Sequence, residues 1–588
     1  MVSGSINVNR NPLSICGWSF LEKIMSLDAL PASVHPDLAR HQENMQPKVY
    51  TLNGNIHTAF GYAIVNCTLI EGDDACILVD TSTSVDKAEI VAAEFKKITD
   101  KPIKTIIYTH FHADHVSGTS AFVSEAELED GIDVIGQEEL VDHVMRDVGL
   151  IAPILGRRAM YQFGMRLPIG QDGTVGAGLG PPQRPGKRSF VPPNKTFEKI
   201  YKGTTGGINF EVHLIPSETE DQCAVWLPDS KVLLSADAVY ESFPNVYALR
   251  GTRFRNPMIW AKGIDRLREF AAETLIPHHG RPVEGVKKID DLLTDYRDAI
   301  QYLHDQTLRY MNKGFTPDEI KEIVKMPEHL RDHPWLGEFY GSYKHAIPAI
   351  FVGYLGWYQG DPVELSPTPW KERASRYVDV MGGREKVFSL AAEALKGDDV
   401  QWAAELLTWL VRANSDDQEA RNMKAEALRR WAYQQKNATW RNWGLTSAME
   451  LDGELDMPGG GMVLGSPDQV KGFPLVNIMQ VMTVRLKSEE TWDYHIRVAF
   501  ETSDTKERCA LEIRRGICQF YEDPPNDFDA RVFFNRISLL NWIFGKSTFD
   551  EAVQSGDIHV EGEAPKVAEF LSKFEPFNQS DQISLAAR

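Results

Sequence analysis

The chain is poor in cysteine and has no arrangement of cysteines that suggests a structural framework. Six cysteines lie at positions 16, 67, 76, 223, 509 and 518 of 588 residues, with no C-x-x-C pair among them. This scatter favours reduced thiols, while the even count leaves a secreted or periplasmic protein open. Long apolar runs are also missing, so no segment approaches the roughly 18 residues of a transmembrane helix. Residues 1–30 lack a basic region followed by a long apolar core, and we therefore expect a cytoplasmic protein.

Positive charge is in deficit. The sequence has 63 lysines and arginines against 83 aspartates and glutamates, a formal net charge of −20. Binding of nucleic acid or of an anionic membrane through bulk electrostatics is therefore not expected. An anionic small molecule would need local positive charge, from metal ions or nearby arginines. The length predicts about three domains, because single cores rarely exceed about 250 residues.

A cluster of potential metal ligands directly follows the apolar run at residues 106–108. His110, His112, Asp114 and His115 fall within six residues. His110 and His112 alternate by two, so both imidazoles point the same way in an extended segment. Imidazole nitrogen and carboxylate oxygen suit zinc. Four such ligands are too many for one tetrahedral centre with an open position, so the spacing predicts two metals a few ångströms apart. A polar loop with surface histidines is the alternative.

The H-x-H-x-D-H pattern after a strand resembles the metal-binding motif of the metallo-β-lactamase superfamily. The resemblance implies an α/β fold, an αββα sandwich with the metals at one edge. The surrounding pattern agrees, with strands predicted at 49–52, 62–65, 75–80 and 103–108 and a helix at 85–97. Asp80 ends the third of these strands, either as a partner of a ligand histidine or as a strand terminator. Residues 157–193 are rich in glycine and proline and predict a long loop over the active site rather than a phosphate-binding loop.

The same resemblance implies further ligands. A ligand follows the strand at 208–215, where Glu218 stands in place of the usual histidine and Glu220 is the competitor. Asp237 ends the next hairpin, at the metal-bridging position. The last ligand is a histidine that directly precedes a glycine, which favours His279 over His278.

The C-terminal half has a different character. Between residues 385 and 433 the apolar spacing predicts antiparallel helices resembling tetratricopeptide-type hairpins, which usually serve association. Trp402, Leu406, Leu407, Trp409 and Leu410 exceed what one face of a solvated helix needs, so we expect a homodimer through residues 370–450, with packing inside the domain as the alternative. After a linker at 451–467, residues 553–562 have a counterpart in small lipid-carrier domains. The predicted units are a leader at 1–45, a catalytic domain at 46–365, a helical dimerisation domain at 366–457 and a sterol-carrier-like domain at 468–588.

This order of domains resembles the zinc-dependent alkyl sulfatases. Segments 245–251, 354–357, 376–383 and 439–442 are similar to that family. The resemblance implies a hydrolase with two Zn2+ ions per chain that cleaves sulfate esters with a metal-activated water. The implied residues are, for one zinc, His110, His112 and Glu218; for the other, Asp114, His115 and His279; for the bridge, Asp237; and for the sulfate, Asn245 and Arg250.

Arg255 departs from the family pattern, since it occupies the position of a histidine thought to protonate the leaving alcohol. The predicted catalytic residues are Asp114, Asp237 and Arg255. Arginine, however, stays charged and is a poor proton donor. Either another group supplies the proton, with His345 and Tyr354 as options, or the substrate is not a long-chain alkyl sulfate. The alternatives are a hydrolase of carboxylic esters, lactones or thioesters, and a non-catalytic lipid-binding protein with a structural metal site.

Overall fold

The computed structural model describes residues 33–145, 149–455, 470–576 and 584–586. Most of the predicted leader, the glycine-rich part of the linker and Cys16 lie outside these ranges. The five cysteines of the described ranges are all free thiols. No helix within the described ranges has the length and apolar character needed to cross a bilayer.

The first sheet has seven strands in sequential order, and its helices lie on one side of it. The first parallel pair is formed by the fourth and fifth strands, which a helix connects. The elements are α1 (Pro36–Glu43), β1 (Lys48–Leu52), β2 (Ile56–Phe60), β3 (Cys67–Glu71), β4 (Cys76–Val79), α2 (Val85–Lys96), β5 (Ile103–Ile107), α3 (Ala113–Val116), α4 (Glu125–Glu129), β6 (Asp133–Gln137), α5 (Leu140–Val144), α6 (Ala152–Gln162) and β7 (Lys195–Phe197).

The second sheet has six strands and faces the first. Its strands also lie side by side in sequential order. The fourth and fifth strands are parallel, and a helix connects them. The elements are β8 (Ile200–Thr205), β9 (Ile208–Leu214), β10 (Cys223–Leu227), β11 (Val232–Ala236), α7 (Pro257–Glu269), β12 (Thr274–Pro277), β13 (Val283–Glu284) and α8 (Val286–Met311).

Three apolar layers follow from this arrangement. Ile77, Ile107, Val225 and Leu234 belong to the core between the two sheets, and each outer face packs on its own helices. Central strands such as Cys76–Val79 are buried on both faces, which is why their sequence is a continuous apolar run. The predicted αββα sandwich is confirmed.

The strand predicted at residues 62–65 is wrong. The strand is Ile56–Phe60, and residues 61–65 form an irregular turn toward the site. Its carbonyl at Ile64 accepts a hydrogen bond 2.6 Å from His279 Nδ1, and the side chains of Ile64 and Val65 are buried in the apolar core on the outer face of the second sheet.

The helical part begins after the sandwich and consists of short antiparallel helices. Leu406, Leu407 and Leu410 are fully buried in its own core, so the alternative of internal packing holds for them and they cannot form an exposed interface. The helices are α9 (Pro317–Ile323), α10 (Glu328–Arg331), α11 (Tyr343–Leu355), α12 (Trp370–Val380), α13 (Arg384–Lys396), α14 (Val400–Ala413), α15 (Gln418–Tyr433) and α16 (Ala438–Leu451).

The C-terminal part is an α+β unit. One five-stranded sheet, in the order β16-β15-β14-β17-β18, packs on its helices. The elements are α17 (Leu475–Gln480), β14 (His495–Thr502), β15 (Arg508–Arg514), β16 (Ile517–Tyr521), β17 (Ala530–Phe534), α18 (Arg536–Ile543), α19 (Phe549–Ser555), β18 (Ile558–Glu561) and α20 (Ala564–Ser572).

Candidate active site

The H-x-H-x-D-H motif leaves the end of β5 and enters the short helix α3. His110 and His112 lie in the irregular segment between them, with His110 Nε2 2.9 Å from His112 Nδ1. Asp114 and His115 occupy the first turn of the helix. The motif thus turns within six residues and presents its side chains in two directions.

The described residues contain three groups of potential ligand atoms; one consists of Asp80, His115 and His278, and the other two lie around Asp237. Of these latter two, His110, His112, Glu218 and Asp237 form the first, and Asp114, His115 and His279 form the second; within each, the ligand atoms lie within 4.8 Å of one another. Asp237 connects the groups, because its Oδ2 lies 3.7 Å from His110 Nε2, 3.4 Å from His115 Nε2 and 3.1 Å from His279 Nε2.

The structure separates the pairs that the sequence left open. Glu218 is buried beside the histidines, whereas Glu220 is exposed. His279 Nε2 lies 3.5 Å from Asp114 Oδ2. His278 instead has its Nδ1 2.6 Å from Asp80 Oδ2, the same oxygen that His115 Nδ1 contacts. Glu218 and His279 therefore lie with the motif in the two groups around Asp237, and their role as ligands stays a prediction.

Asp80 holds the back of the site. Its Oδ2 accepts a hydrogen bond from His115 Nδ1 at 2.6 Å, and its two oxygens accept from the Thr109 amide and hydroxyl at 2.8 Å each. Burial alone would raise the pKa of Asp80, but the charges of His115 and His278 hold it well below its ordinary value. Asp80 also adopts a left-handed backbone with φ 58°, strain that these contacts fix in place. Hydrogen bonding at Nδ1 leaves Nε2 of His115 to face the group.

Asp221 is a positioning residue that the sequence did not reveal. Its Oδ2 accepts a hydrogen bond from the Phe111 amide at 2.9 Å, and its Oδ1 accepts one from the Thr219 hydroxyl at 2.8 Å. It therefore joins the motif to the loop that carries Glu218. An acid three residues after the predicted ligand was the only available signal.

The donor set fits metal ions. Buried atoms at its centre, His115 Nε2 and Asp237 Oδ1, have no hydrogen-bond partner in the described part of the chain, a costly condition that a cation would relieve. Burial lowers the pKa of His110 and His112 well below the ordinary value, and nearby positive groups add to the effect. Neutral imidazole is the form that binds metal.

A cavity of about 520 Å³ opens above these groups. One wall is apolar and comes from the segment around α6, including Ile151, Leu155 and Ala159. The predicted loop at 157–193 begins later than expected, because 157–162 belong to α6. Its remainder contributes Leu179, Gln183 and Arg188 to the wall. The cavity therefore joins a charged base to an apolar side.

Arg250 lies at the charged base, with Nη2 3.5 Å from His112 Nε2. Its backbone is held by α6: Arg158 donates to the carbonyls of Leu249 at 2.6 Å and Arg250 at 2.7 Å, and Gln162 Oε1 accepts from the Arg250 amide at 2.7 Å. A guanidinium fixed in this way offers a planar set of donors to a tetrahedral oxyanion.

Arg188 is a second cation of the cavity that the sequence did not reveal. The neighbouring Ser189 amide donates to the Ser117 carbonyl at 2.8 Å, and the Lys187 carbonyl accepts from the Val85 amide at 2.8 Å. Burial lowers the pKa of Arg188, while the charge of Asp114 opposes that shift. Arg188 is thus held near the second ligand group, as Arg250 is near the first.

Arg255 points at a predicted ligand instead of at open space. Its Nη1 contacts Glu218 Oε1 in a buried ion pair and donates to the Asn245 carbonyl at 2.8 Å. Burial lowers its pKa to about 10, so it remains charged near neutral pH. Asn245 is itself buried and meets Arg255 through its backbone.

Neither suggested replacement for the missing proton donor is at the cavity. His345 Nδ1 accepts a hydrogen bond from Trp440 Nε1 at 2.9 Å, and burial lowers its pKa to about 4. The Tyr354 hydroxyl lies 2.9 Å from His304 Nε2, and the residue is half-exposed. Both are missing from the described residues that line the cavity. Tyr340, which the sequence did not single out, lines it.

Three family models match consecutive parts of the chain. The metallo-beta-lactamase superfamily matches residues 61–279, the alkyl sulfatase dimerisation domain residues 316–454, and the alkyl sulfatase C-terminal domain residues 463–583.

Known proteins are similar over nearly the whole length. A linear primary-alkylsulfatase of Pseudomonas sp. (strain ATCC 19151) is 41% identical over 520 residues, 86% of this chain and 98% of that protein. An alkyl/aryl-sulfatase of Saccharomyces cerevisiae is 30% identical over 93% of this chain and 86% of its own length. The solved structure of a stereoselective inverting sec-alkylsulfatase from Pseudomonas sp. superposes with a TM-score of 0.89 at 28% identity, covering 95% of this chain and 89% of that one.

Proposed function

The chain belongs to the alkylsulfatase family of the metallo-β-lactamase superfamily, and on that premise we propose that it hydrolyses organic sulfate esters to an alcohol and inorganic sulfate at a dinuclear zinc centre. The observation that carries the proposal is the position of two ligand groups at the base of a cavity that is lined by Arg250 and Arg188, among other arginines, and has an apolar wall. Nitrogen and carboxylate donors of this kind suit zinc.

His110, His112 and Glu218 would hold one ion and Asp114, His115 and His279 the other, with Asp237 between them. When bound, the ions supply positive charge against the sulfate and a water acidic enough to react near neutral pH. Asp80 fixes the orientation of His115 through Nδ1, and Asp221 fixes the segment around Phe111. These contacts keep the donor atoms in place before any ion arrives.

Arg250 and Arg188 would bind the sulfate group from two sides of the ligand groups. Both guanidiniums line the cavity, and both are carried by backbone segments that hydrogen bonds hold in place. Fixed donors stabilise charge without reorganisation during the reaction. The apolar wall beside α6 would take the hydrocarbon part of the ester, since burying it there removes apolar surface from water.

We also propose roles for the helical part and the C-terminal part. The helical part would form a homodimer through side chains that are apolar and exposed. The C-terminal part would be sterol-carrier-like; it has a cavity of about 280 Å³ lined by Met482, Trp542, Ile543 and Leu571 among others.

The test is sulfate release from a linear alkyl sulfate by protein with a measured metal content. We expect about two zinc ions per chain and release of inorganic sulfate. His112→Ala and Asp114→Ala should lose metal and nearly all activity. His333→Ala, a histidine whose Nε2 lies 3.6 Å from Asp295, is the matched control and should change neither. Acid release from carboxylic esters or thioesters without sulfate release would favour the alternative hydrolase, and one ion in fully active protein would contradict the dinuclear centre.

A further inference from the structure

Cleavage of a sulfate ester leaves a problem that the described site does not solve. When the S–O bond of the ester breaks, the bridging oxygen takes the electron pair as an alkoxide, and this alkoxide needs a proton. Arg255 is engaged with Glu218 and stays charged, and His345 and Tyr354 are outside the cavity. The proton must therefore come from another group that lines the cavity.

We propose that Tyr340 is a catalytic residue that donates its hydroxyl proton to the bridging oxygen of the sulfate ester. The proposal rests on the sulfatase function proposed above. Tyr340 lines the same cavity as His112, Arg250 and Arg255. Among the described residues that line this cavity, Tyr340 is the one phenol, and the hydroxyls of Thr83 and Thr252 are much weaker acids.

The loop that carries Tyr340 is held from two sides, so the ring cannot easily move away. The Tyr340 amide donates to the Ser242 hydroxyl at 2.9 Å, on the catalytic side. From helix α16, the Asn437 side chain donates to the carbonyls of Tyr340 at 3.0 Å and Gly341 at 3.2 Å. A Cβ at Gly341 would lie 2.3 Å from the Pro244 carbonyl, so this approach requires glycine.

The surroundings of the ring suit a proton donor. Tyr240 packs edge-on against it with ring centroids 6.1 Å apart, and Phe163 stacks at 6.5 Å. Burial raises the pKa of Tyr340 to about 12, while the charges of Arg250 and Arg255 oppose the rise. The hydroxyl is thus protonated at neutral pH, yet it remains a stronger acid than an aliphatic alcohol, whose pKa is roughly that of water, about 16.

The proton balance is simple. As the water oxygen bonds to sulfur and the S–O bond breaks, the bridging oxygen receives the electron pair and the proton from Tyr340 Oη, and the alcohol leaves neutral. The proton of the attacking water passes to solvent with the released sulfate. The tyrosinate that remains is stabilised by the charges of Arg250 and Arg255 and regains its proton from solvent water. No oxidant or further reactant is needed.

The experiment compares Tyr340→Phe with wild type on two sulfate esters, a linear alkyl sulfate and an aryl sulfate whose phenol has a pKa near 7. General acid catalysis contributes about 10²–10⁴-fold and matters least for good leaving groups. We expect kcat on the alkyl sulfate to fall by about 10²-fold or more and kcat on the aryl sulfate to fall by less than about tenfold. Zinc content should be unchanged.

Tyr354→Phe is the matched control, because it removes the same hydroxyl outside the cavity, and it should leave both rates unchanged. Equal losses on the two esters in Tyr340→Phe, or no loss on either, would overturn the role of Tyr340 while leaving the sulfatase function intact. Wild-type protein that releases no sulfate from either ester would instead refute the proposed function.

Discussion

At the scale of single residues, Arg255 is the position where the sequence departs from the pattern that the family resemblance implies. Because Arg255 and Glu218 are both buried, with side-chain exposures of 3% and 4%, removal of the arginine leaves a buried carboxylate with no cation unless a metal ion is present. Breaking such a pair from one side costs about 3–5 kcal/mol. The pair therefore stabilises the ligand group before metal binds.

This argument predicts a difference between metal-free and metal-loaded protein. Arg255→Met should lower the free energy of unfolding of the metal-free protein by about 3–5 kcal/mol. Zinc-loaded protein should lose much less, because the ion replaces the guanidinium as the partner of Glu218. Denaturant unfolding of both forms measures this. Arg253→Met, which removes an exposed arginine of the same loop, is the control; equal losses in both forms would contradict the prediction.

At the scale of elements, helix α6 connects substrate binding to the rest of the fold. It walls the cavity, and its Arg158 and Gln162 hold the backbone of Arg250. At its end the Tyr161 hydroxyl donates to Glu450 of α16, whose carboxylate also accepts from the amides of Leu585 and Ala586 at 3.1 Å each. Arg250, which we propose binds sulfate, is thus positioned by a helix that is itself held by a contact from outside the sandwich.

We predict that Arg158→Met weakens sulfate binding without affecting the metal. The substitution removes two hydrogen bonds from a cation, each contributing about 1.5–3 kcal/mol. If half of the free energy of one such bond is lost from sulfate binding because Arg250 is misplaced, KM for sulfate esters should rise roughly three- to tenfold, since about 1.4 kcal/mol corresponds to a factor of ten. Inhibition by inorganic sulfate should weaken by the same factor. Arg157→Met, on the same helix, is the control, and unchanged sulfate inhibition in Arg158→Met would refute this role of α6.

At the scale of the whole molecule, the exposed apolar side chains indicate where two copies would meet. Leu355, Trp357, Val363, Leu365 and Val380 are between 58% and 81% exposed, all around helices α11 and α12. Such a concentration is unusual for a surface that stays in water. The interface we propose therefore includes the start of the predicted 370–450 segment and the residues just before it, rather than the leucines of α14.

This surface predicts that Leu355→Lys combined with Val380→Glu converts a dimer into a monomer. Charges on a face that is buried between copies cost several times more than on a solvated face. Light scattering at micromolar concentration measures the mass. Ile169→Lys, at an isoleucine 67% exposed elsewhere, is the control and should remain dimeric. A monomeric wild-type protein would refute the homodimer.

Local sequence determined the parts of this protein that depend on neighbouring residues. The strand before the H-x-H-x-D-H motif, the turn of the motif and the buried strands follow from short-range spacing and continuous apolar runs. The resemblance carried by that motif and by the order of domains is confirmed, as are the αββα sandwich and the membership in the alkylsulfatases. The ligand roles of Glu218, Asp237 and His279 stay predictions, though the structure places all three beside the motif.

Tertiary structure alone decided what depends on distant segments meeting. Nothing near residue 188 or 340 in the chain resembles a motif, because these side chains gain their position from partners such as Ser117, Val85, Ser242 and Asn437. The same reason explains the misplaced strand at 62–65, whose residues Ile64 and Val65 are buried in the core outside the second sheet. It also explains the leucines of α14, which are buried by other helices. The spacing of apolar residues indicates that one face of an element is buried, whereas only the tertiary structure determines which segments bury it.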